Sequence, residues 1–272
     1  MLWRVDRVGD KREQIQTMTA TLASERLAPP DPWAAEGTAL FLDLDGVLAA
    51  IEPRPQDVAP LPWRSRLLRR LLERLDGRLA IVSGRTLEEV DRILDGAVPA
   101  VGAVHGLVRR RSDGRLGAPA ASAALAQVRN GLNEFAIDHP TLTLENKGVA
   151  VALHYRQAPE LGPTVRAEAD RLAREHGMTL QLGDMVAEVR EPGSDKGGAV
   201  RAFMREPPFK GARPIFLGDD LTDEDGFAAV QALGGLGVLV GPGRKTVARR
   251  RLDDVGAVRA WLEGGLSQGP QP

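Results

Sequence analysis

The chain has 272 residues, 36 Lys+Arg against 37 Asp+Glu for a formal net charge of −1, and no cysteine. That length buries a sizeable core, as one large domain or a core with an insert, and the near-neutral balance offers no global field to nucleic acid or a membrane surface. The missing cysteines exclude disulfides, thiolate metal sites and thiol nucleophiles.

In chain order, residues 1–36 stand apart as an N-terminal extension. It holds no apolar secretory segment, and nowhere does an apolar run approach the ~20 residues of a membrane span, so the expected location is the cytoplasm. A polar helix is expected over 10–28 and is broken by Ala28–Pro32, since proline stops helices. From Thr38 the pattern is βα. Strand Ala39–Asp43 leads through a proline-rich loop to a helix from about Trp63 to Leu75, with Leu67, Leu68, Leu71, Leu72 and Leu75 on one stripe. Strand Leu79–Val82 ends in Ser83-Gly84-Arg85. The next helix opens with Thr86 and Glu89 at capping-box spacing, and a third strand lies near Ala100–Val104. A helix over Ala121–Ile137 follows. Thr141–Arg156 then alternates apolar and polar residues around Asn146-Lys147-Gly148, a hairpin signal in an antiparallel sheet. A helix at 164–176 and strands near 178–182 and 185–190 complete this segment. After Pro192-Gly193 the βα pattern resumes with a helix at 195–204, strand Pro214–Leu217, a helix over Thr222–Leu233, strand Gly237–Val240 and a helix near 254–263. The tail after Gly264 is expected to fray.

A parallel pattern interrupted by an antiparallel one reads as an insertion. The expected fold is therefore α/β, a Rossmann-like parallel-sheet core over 37–111 and 192–265 with an α+β cap over 112–191. The arginine runs Arg109–Arg111 and Arg249–Arg251 read as solvated faces. The histidines, His105, His139, His154 and His176, include no pair at zinc-ligand spacing.

Two apolar runs end abruptly in acids, Leu40–Leu48 (LFLDLDGVL) and Phe216–Asp225 (FLGDDLTDED). As buried parallel strands they bring Asp43, Asp45, Asp219 and Asp220 to the carboxyl edge of the sheet, where open α/β sheets bind ligands. Four carboxylates in a small volume require a positive neutraliser, and Mg²⁺ suits oxygen donors. Asp43 is then the candidate nucleophile and Asp45, two residues on, the proton donor and acceptor. Ser83 offers a hydroxyl to a phosphate oxygen, although such a serine equally caps a helix. Lys196, at a helix start, balances charge if it lies at the site; a lone lysine there is otherwise solvated. Asp223, Glu224 and Asp225 read as acids at a helix N-terminus, favoured by its dipole.

The ordered motifs DLDGVL, SGR, SDKGG and LGDDLTDED resemble those of haloacid-dehalogenase-type phosphohydrolases. The phrases VSGR (82–85), HGLVRR (105–110), LENKGVAVALHYR (144–156), AEVREPGSDKG (187–197) and GDDLTDED (218–225) extend the resemblance to trehalose-6-phosphate phosphatases over roughly residues 38–265. The resemblance implies a cap that closes over a sugar, with Asp43 as nucleophile, Asp45 as acid/base, and Ser83 and Lys196 holding the phosphoryl group. It implies Mg²⁺ on Asp43, Asp45 (through its carbonyl) and Asp219, with Asp220 in support. Glu145, Lys147 and Glu188 match sugar-gripping positions, while Gly84, Arg85 and His105 complete the substrate-facing set. Without the resemblance, Glu145, Lys147 and Glu188 read as solvated strand-end charges. Val104 departs from the pattern, standing where a polar residue is frequent. The reaction implied is hydrolysis of trehalose 6-phosphate, the last step of trehalose biosynthesis, with a trehalose-6-phosphate synthase as a conceivable partner. The alternatives are a phosphatase for another sugar phosphate, such as sucrose phosphate or mannosylglycerate phosphate, and a catalytically silent regulatory subunit.

Overall fold

The computed structural model describes residues 27–193 and 195–267; most of the helix expected over 10–28 lies outside them. Strands β1 (Thr38–Leu42), β2 (Leu79–Val82) and β3 (Ala100–Ala103) alternate with helices α1 (Pro62–Arg74) and α2 (Leu87–Leu94). Strands β4 (Val108–Arg110) and β5 (Leu116–Gly117) follow. Next come α3 (Ala123–Ile137), β6 (Thr143–Asn146), β7 (Ala150–His154), α4 (Gly162–His176), β8 (Thr179–Gly183) and β9 (Val186–Arg190). The chain ends through α5 (Lys196–Met204), β10 (Arg213–Gly218), α6 (Glu224–Ala232), β11 (Leu236–Val240), β12 (Arg250–Leu252) and α7 (Val255–Ser267).

The core sheet has the order β12-β11-β10-β1-β2-β3-β4-β5. It is parallel from β12 to β3 and closes with an antiparallel hairpin. Buried on both sides, β1 splits its residues between two layers. Leu40 and Leu42 join α1, α2 and α7 on one face, while Ala39 and Phe41 join α5 and α6 on the other. The chain leaves β1 toward β2 on one side and returns as β10 on the other, so the strand order reverses at β1. The carboxyl end of β1 is the topological switch point where such sheets open a crevice.

Two strand pairings went beyond the periodicity. The β4–β5 hairpin carries the Arg109–Arg111 run, which is not a solvated face. Arg109 and Arg111 pair with Glu206, Arg110 forks onto Asp91, and the Arg109 guanidinium lies 5.1 Å from the centre of the Phe203 ring. The core sheet therefore continues to Gly117. Strand β12 likewise takes up Arg250 and Arg251 at the opposite edge, and α7 runs to Ser267, past the residue where fraying was expected.

The second sheet, β6-β7-β9-β8, is antiparallel and packs α3 and α4 against one face around a hydrophobic cluster of its own. Its other face looks toward the carboxyl edge of the core sheet. Among the described residues, no helix is long and apolar enough to cross a membrane.

Residues just before β1 are part of the core. Trp33 is buried against α7, so close that a Cβ on Gly265 would lie 2.0 Å from its ring, and the Trp261 indole donates to the Asp31 carbonyl. Trp33→Ala is expected to cost about 3–5 kcal/mol, the range for truncating a buried aromatic. Urea unfolding checks this, and a loss below about 1 kcal/mol would mean that the 27–36 segment is loosely held.

Candidate active site

Asp43 follows β1 directly and is buried. Its Oδ1 accepts the Leu44 amide at 2.7 Å and its Oδ2 accepts the Lys196 ammonium at 2.7 Å. Lys196 opens α5, whose N-cap is Asp195, and also donates to Asp223 Oδ1 at 2.7 Å. Asp223 is fully buried, and its second oxygen accepts the Asp219 and Asp220 amides at 2.8 and 3.0 Å. Asp43, Asp219 and Asp223 each turn an oxygen into one small volume, all within 4.8 Å of one another.

The charges explain what this volume requires. Burial raises Asp43 well above the usual carboxylate range, and Lys196 offsets this only in part. Burial, and then the neighbouring charges of Asp223 and Asp220, push Asp219 up to about 8. Burial raises Asp223 as well. Burial works against the Lys196 ammonium too, but Asp223 and Asp43 outweigh it and hold its pKa above the ordinary value. Three carboxylates around one ammonium leave two negative charges in excess, which fits a divalent cation with hard oxygen ligands. Gly46, at φ 68°, lets the chain pass beneath this volume; a Cβ there would lie 2.1 Å from Asp219 Oδ2.

The metal set expected from the sequence is thus brought together in part. Asp43 and Asp219 converge, and Asp223 takes the third corner. It ends the short turn Leu221–Asp223 after β10 and folds back onto the Asp219 and Asp220 amides, a placement that its sequence position did not signal. Asp220 is not in the cluster. Its Oδ1 caps the short turn Leu221–Asp223 by accepting the Thr222 amide and hydroxyl, both at 2.6 Å, and burial is outweighed there by Lys196 and these bonds, so its pKa is lowered. The Asp45 carboxylate also lies outside it. Both its oxygens are taken by Arg85, from Nε at 2.7 Å and Nη2 at 2.8 Å. Arg85 in turn donates to the Pro55 carbonyl and to Glu89.

Ser83, buried at the end of β2, accepts the Arg85 amide on its Oγ at 3.2 Å, which leaves its own proton to be donated. The helix that follows is capped by Thr86 and Glu89 in the expected capping box, so Ser83 is not its cap. The loop after β3 braces this turn, with the Val104 amide on the Arg85 carbonyl and the His105 amide on the Ser83 carbonyl, both at 2.9 Å. Val104 and His105 hold left-handed φ of 47° and 54° to make these contacts, an uncommon conformation for a β-branched residue. The His105 ring lies over Gly84, where a Cβ would meet its Nε2 at 2.7 Å. Burial lowers His105 to about 4, so its imidazole is neutral.

The second sheet forms the roof. Ala152 pairs with Glu145 on one side and Glu188 on the other, and Glu188 pairs with Gln181, so these four side chains cross one face in a row with a methyl between the two acids. Lys147, in the β6–β7 turn, donates to Glu188 Oε2 at 2.6 Å and across the gap to the Gly84 carbonyl at 2.9 Å. Burial opposes the Glu188 charge, but Lys147 and His105 outweigh it and hold its pKa low. Glu188 Oε1 is buried without a hydrogen-bond partner and lies 3.6 Å from His105 Nε2, a spacing that invites a ligand hydroxyl. His154, absent from the expected set, holds Glu145 at 2.8 Å. Floor and roof enclose a cavity of about 580 Å³.

Buried carboxylates around a cation-sized gap, with a serine hydroxyl and a lysine converging beside them, accommodate a phosphoryl group. Placed at the β1 switch point of such a core, with a cap inserted above, they define a phosphohydrolase of haloacid-dehalogenase type. Comparison with known proteins narrows this class. The trehalose-phosphatase family profile matches residues 41–255. Trehalose-6-phosphate phosphatase of Escherichia coli K12 is 41% identical over 227 residues, covering 83% of this chain and 85% of that one. A crystal structure of a trehalose-6-phosphate phosphatase related protein aligns with TM-score 0.69 at 28% identity, covering 83% of this chain and 95% of that one. The C-terminal domain of the Candida albicans trehalose-6-phosphate phosphatase aligns at TM-score 0.74 and 24% identity over 93% and 96% of the two chains, a likeness of fold. The chain belongs to the trehalose-phosphatase family.

The Asp219 shift fixes a pH dependence. Its carboxyl titrates near 3.8 when unfolded and near 8 in the cation-free fold, so between these values the native state holds a proton that the unfolded chain has released. The Asp219 contribution to cation-free stability should therefore fall as pH rises from about 4 to 8; His105, lowered to about 4, works the other way below its ordinary 6.5, so the net fall is expected above that pH. A divalent cation binds the ionised form and should raise Tm more at pH 8 than at pH 5.5. Thermal melts in EDTA and in millimolar divalent cation check both; equal gains at the two pH values would count against a cation at this cluster.

Proposed function

We propose that the protein hydrolyses trehalose 6-phosphate to trehalose and inorganic phosphate, with Mg²⁺, through an aspartyl-phosphate at Asp43. The observation that carries this reading is the facing of two surfaces across one cavity. The floor holds the Asp43–Lys196–Asp223 cluster, and the roof presents Glu145 and Glu188 in register, with Glu188 Oε1 unpartnered. A phosphoryl group on the floor leaves its sugar against that polar row.

Asp43 attacks phosphorus in line, and the electron pair of the breaking P–O bond passes to the sugar oxygen, which takes a proton from Asp45. Water then attacks the phosphorus of the aspartyl-phosphate and gives a proton back to Asp45, releasing phosphate and restoring Asp43. Asp45 must leave its fork with Arg85 to serve in either step. Ser83 and Lys196 hold the non-bridging oxygens throughout. Asp43, Asp219 and Asp223 would hold Mg²⁺, joined by the Asp45 carbonyl if the family resemblance carries over, and the ion would supply positive charge against the phosphoryl oxygens. Glu145 and Glu188 accept sugar hydroxyls, and cap closure excludes water from the floor.

Asp43→Asn keeps the shape of the nucleophile and removes its charge. Turnover is expected to fall at least ~10⁴-fold, about 5.5 kcal/mol of barrier. Phosphate release from trehalose 6-phosphate measures this, and more than a few per cent of wild-type turnover in a deamidation-checked sample would rule the role out.

Specificity separates the sugar reading from generic phosphatase chemistry. Glu145→Gln and Glu188→Gln should each lower kcat/KM on trehalose 6-phosphate by about 10- to 100-fold, as loss of a charged hydrogen bond does. Hydrolysis of a small aryl phosphate, which does not reach the roof, should change far less. Parallel kinetics on trehalose 6-phosphate, sucrose phosphate and the aryl phosphate decide it; equal losses on all three would place the sugar site elsewhere.

A further inference from the structure

Lys147 is anchored in the cap, yet its side chain, only 8% exposed, reaches the core backbone at the turn that carries Ser83. The carbonyl it contacts, that of Gly84, belongs to the same peptide group as the Arg85 amide, and that amide donates to Ser83 Oγ at 3.2 Å. The bonds thus run in one direction, from the Lys147 ammonium to the Gly84 carbonyl, through the Gly84–Arg85 peptide, to the Ser83 oxygen. A charge on the carbonyl polarises its amide, the amide draws on the hydroxyl oxygen, and the hydroxyl proton becomes a better donor; aligned bonds reinforce one another in this way. The turn is fixed for the purpose. The His105 ring covers Gly84, and the Val104 and His105 amides pin the Arg85 and Ser83 carbonyls. At the other end, Glu188 Oε2 holds the ammonium at 2.6 Å.

We propose that Lys147 is a positioning residue for the phosphoryl group: through the Gly84–Arg85 peptide it strengthens Ser83 as a donor, so that the phosphate site reaches full affinity only when the cap is in contact with the core. This goes beyond a sugar-gripping role and rests on the proposed reading only in taking Ser83 to bind the phosphoryl group. Cap contact and phosphate grip are then one event, felt by a phosphate that carries no sugar.

The test is calorimetric binding of inorganic phosphate to the full chain in millimolar Mg²⁺. Lys147→Met keeps the length of the side chain and removes its donors, and affinity is expected to fall about five- to tenfold, less than for a direct charged hydrogen bond because the effect is relayed through the peptide. Arg174→Met, exposed on the outer side of the cap helix α4, should stay within about twofold. Ser83→Ala should weaken binding, and adding Lys147→Met to Ser83→Ala should weaken it no further, because the lysine acts through that hydroxyl. Should Lys147→Met fold poorly for want of a partner for Glu188, Lys147→Met/Glu188→Gln removes the charged pair together and should show the same loss. Wild-type affinity in either Lys147 variant, an equal loss in Arg174→Met, or additive losses in the Ser83/Lys147 pair would each overturn the coupling. Failure of the substrate reading is distinct: it shows as wild-type protein that releases no phosphate from trehalose 6-phosphate.

Discussion

A buried ammonium, that of Lys196, is shared between Asp43 at the end of β1 and Asp223 beyond the end of β10, and the floor of the cavity keeps its shape through that sharing. Carboxylates taken out of water repel one another and are stable only with positive charge in contact. One ammonium fixes two of them from opposite sides, while Asp223 turns its other oxygen to the Asp219 and Asp220 amides and so shapes the turn after β10. Among the described residues, the third carboxylate, Asp219, has no such counter-charge in contact. That deficit is structural, because the residues creating it are set by two neighbouring parallel strands.

The core and the cap meet this floor with different tolerances. The core side is rigid: strand ends, a capped helix and backbone-to-backbone bonds hold Ser83 and the Arg85 turn. The cap side is a sheet face in which an alanine separates two acids, so the gap between Glu145 and Glu188 is set by strand spacing rather than by side-chain choice. Floor and roof are therefore each preorganised, and the distance between them remains the variable. Arg85 belongs to the floor but holds Asp45 by both oxygens, apart from the Asp43–Lys196–Asp223 contacts.

Much of this was legible in the residues. Runs of buried strand followed by acid located β1 and β10, and the leucine stripe and the Thr86–Glu89 spacing located α1 and α2 almost to the residue. Period-two alternation around Asn146-Lys147-Gly148 gave the β6–β7 hairpin. Less legible was everything that depends on partners distant in sequence. Arg109–Arg111 looks solvated until Asp91 and Glu206 are set beside it. Asp223 looks like a helix-dipole acid until the fold buries it under Lys196. His154 stands inside the phrase LENKGVAVALHYR, but its partner shows only when pairing with β6 brings it to Glu145. Asp45 reads as a free acid/base, and its fork with Arg85 depends on a side-chain orientation that spacing does not encode.

The insertion of the cap has a consequence for how the molecule is made. Lys196 and Asp43 are 153 residues apart in the chain, and β1 pairs with β2 on one side but must wait for β10 on the other. As the chain emerges from its N-terminus, that second edge of β1 lies open while the whole cap is synthesised and closes around its own hydrophobic cluster. The arrival of β10 then seals the central edge of the sheet and, in the same movement, delivers Asp219 and Asp223 beside Asp43. No partly built active site precedes the finished sheet. The gathering of Asp43, Asp219 and Asp223 is in this sense a proofreading mark: a chain that has brought them together has already made its longest-range strand pairing.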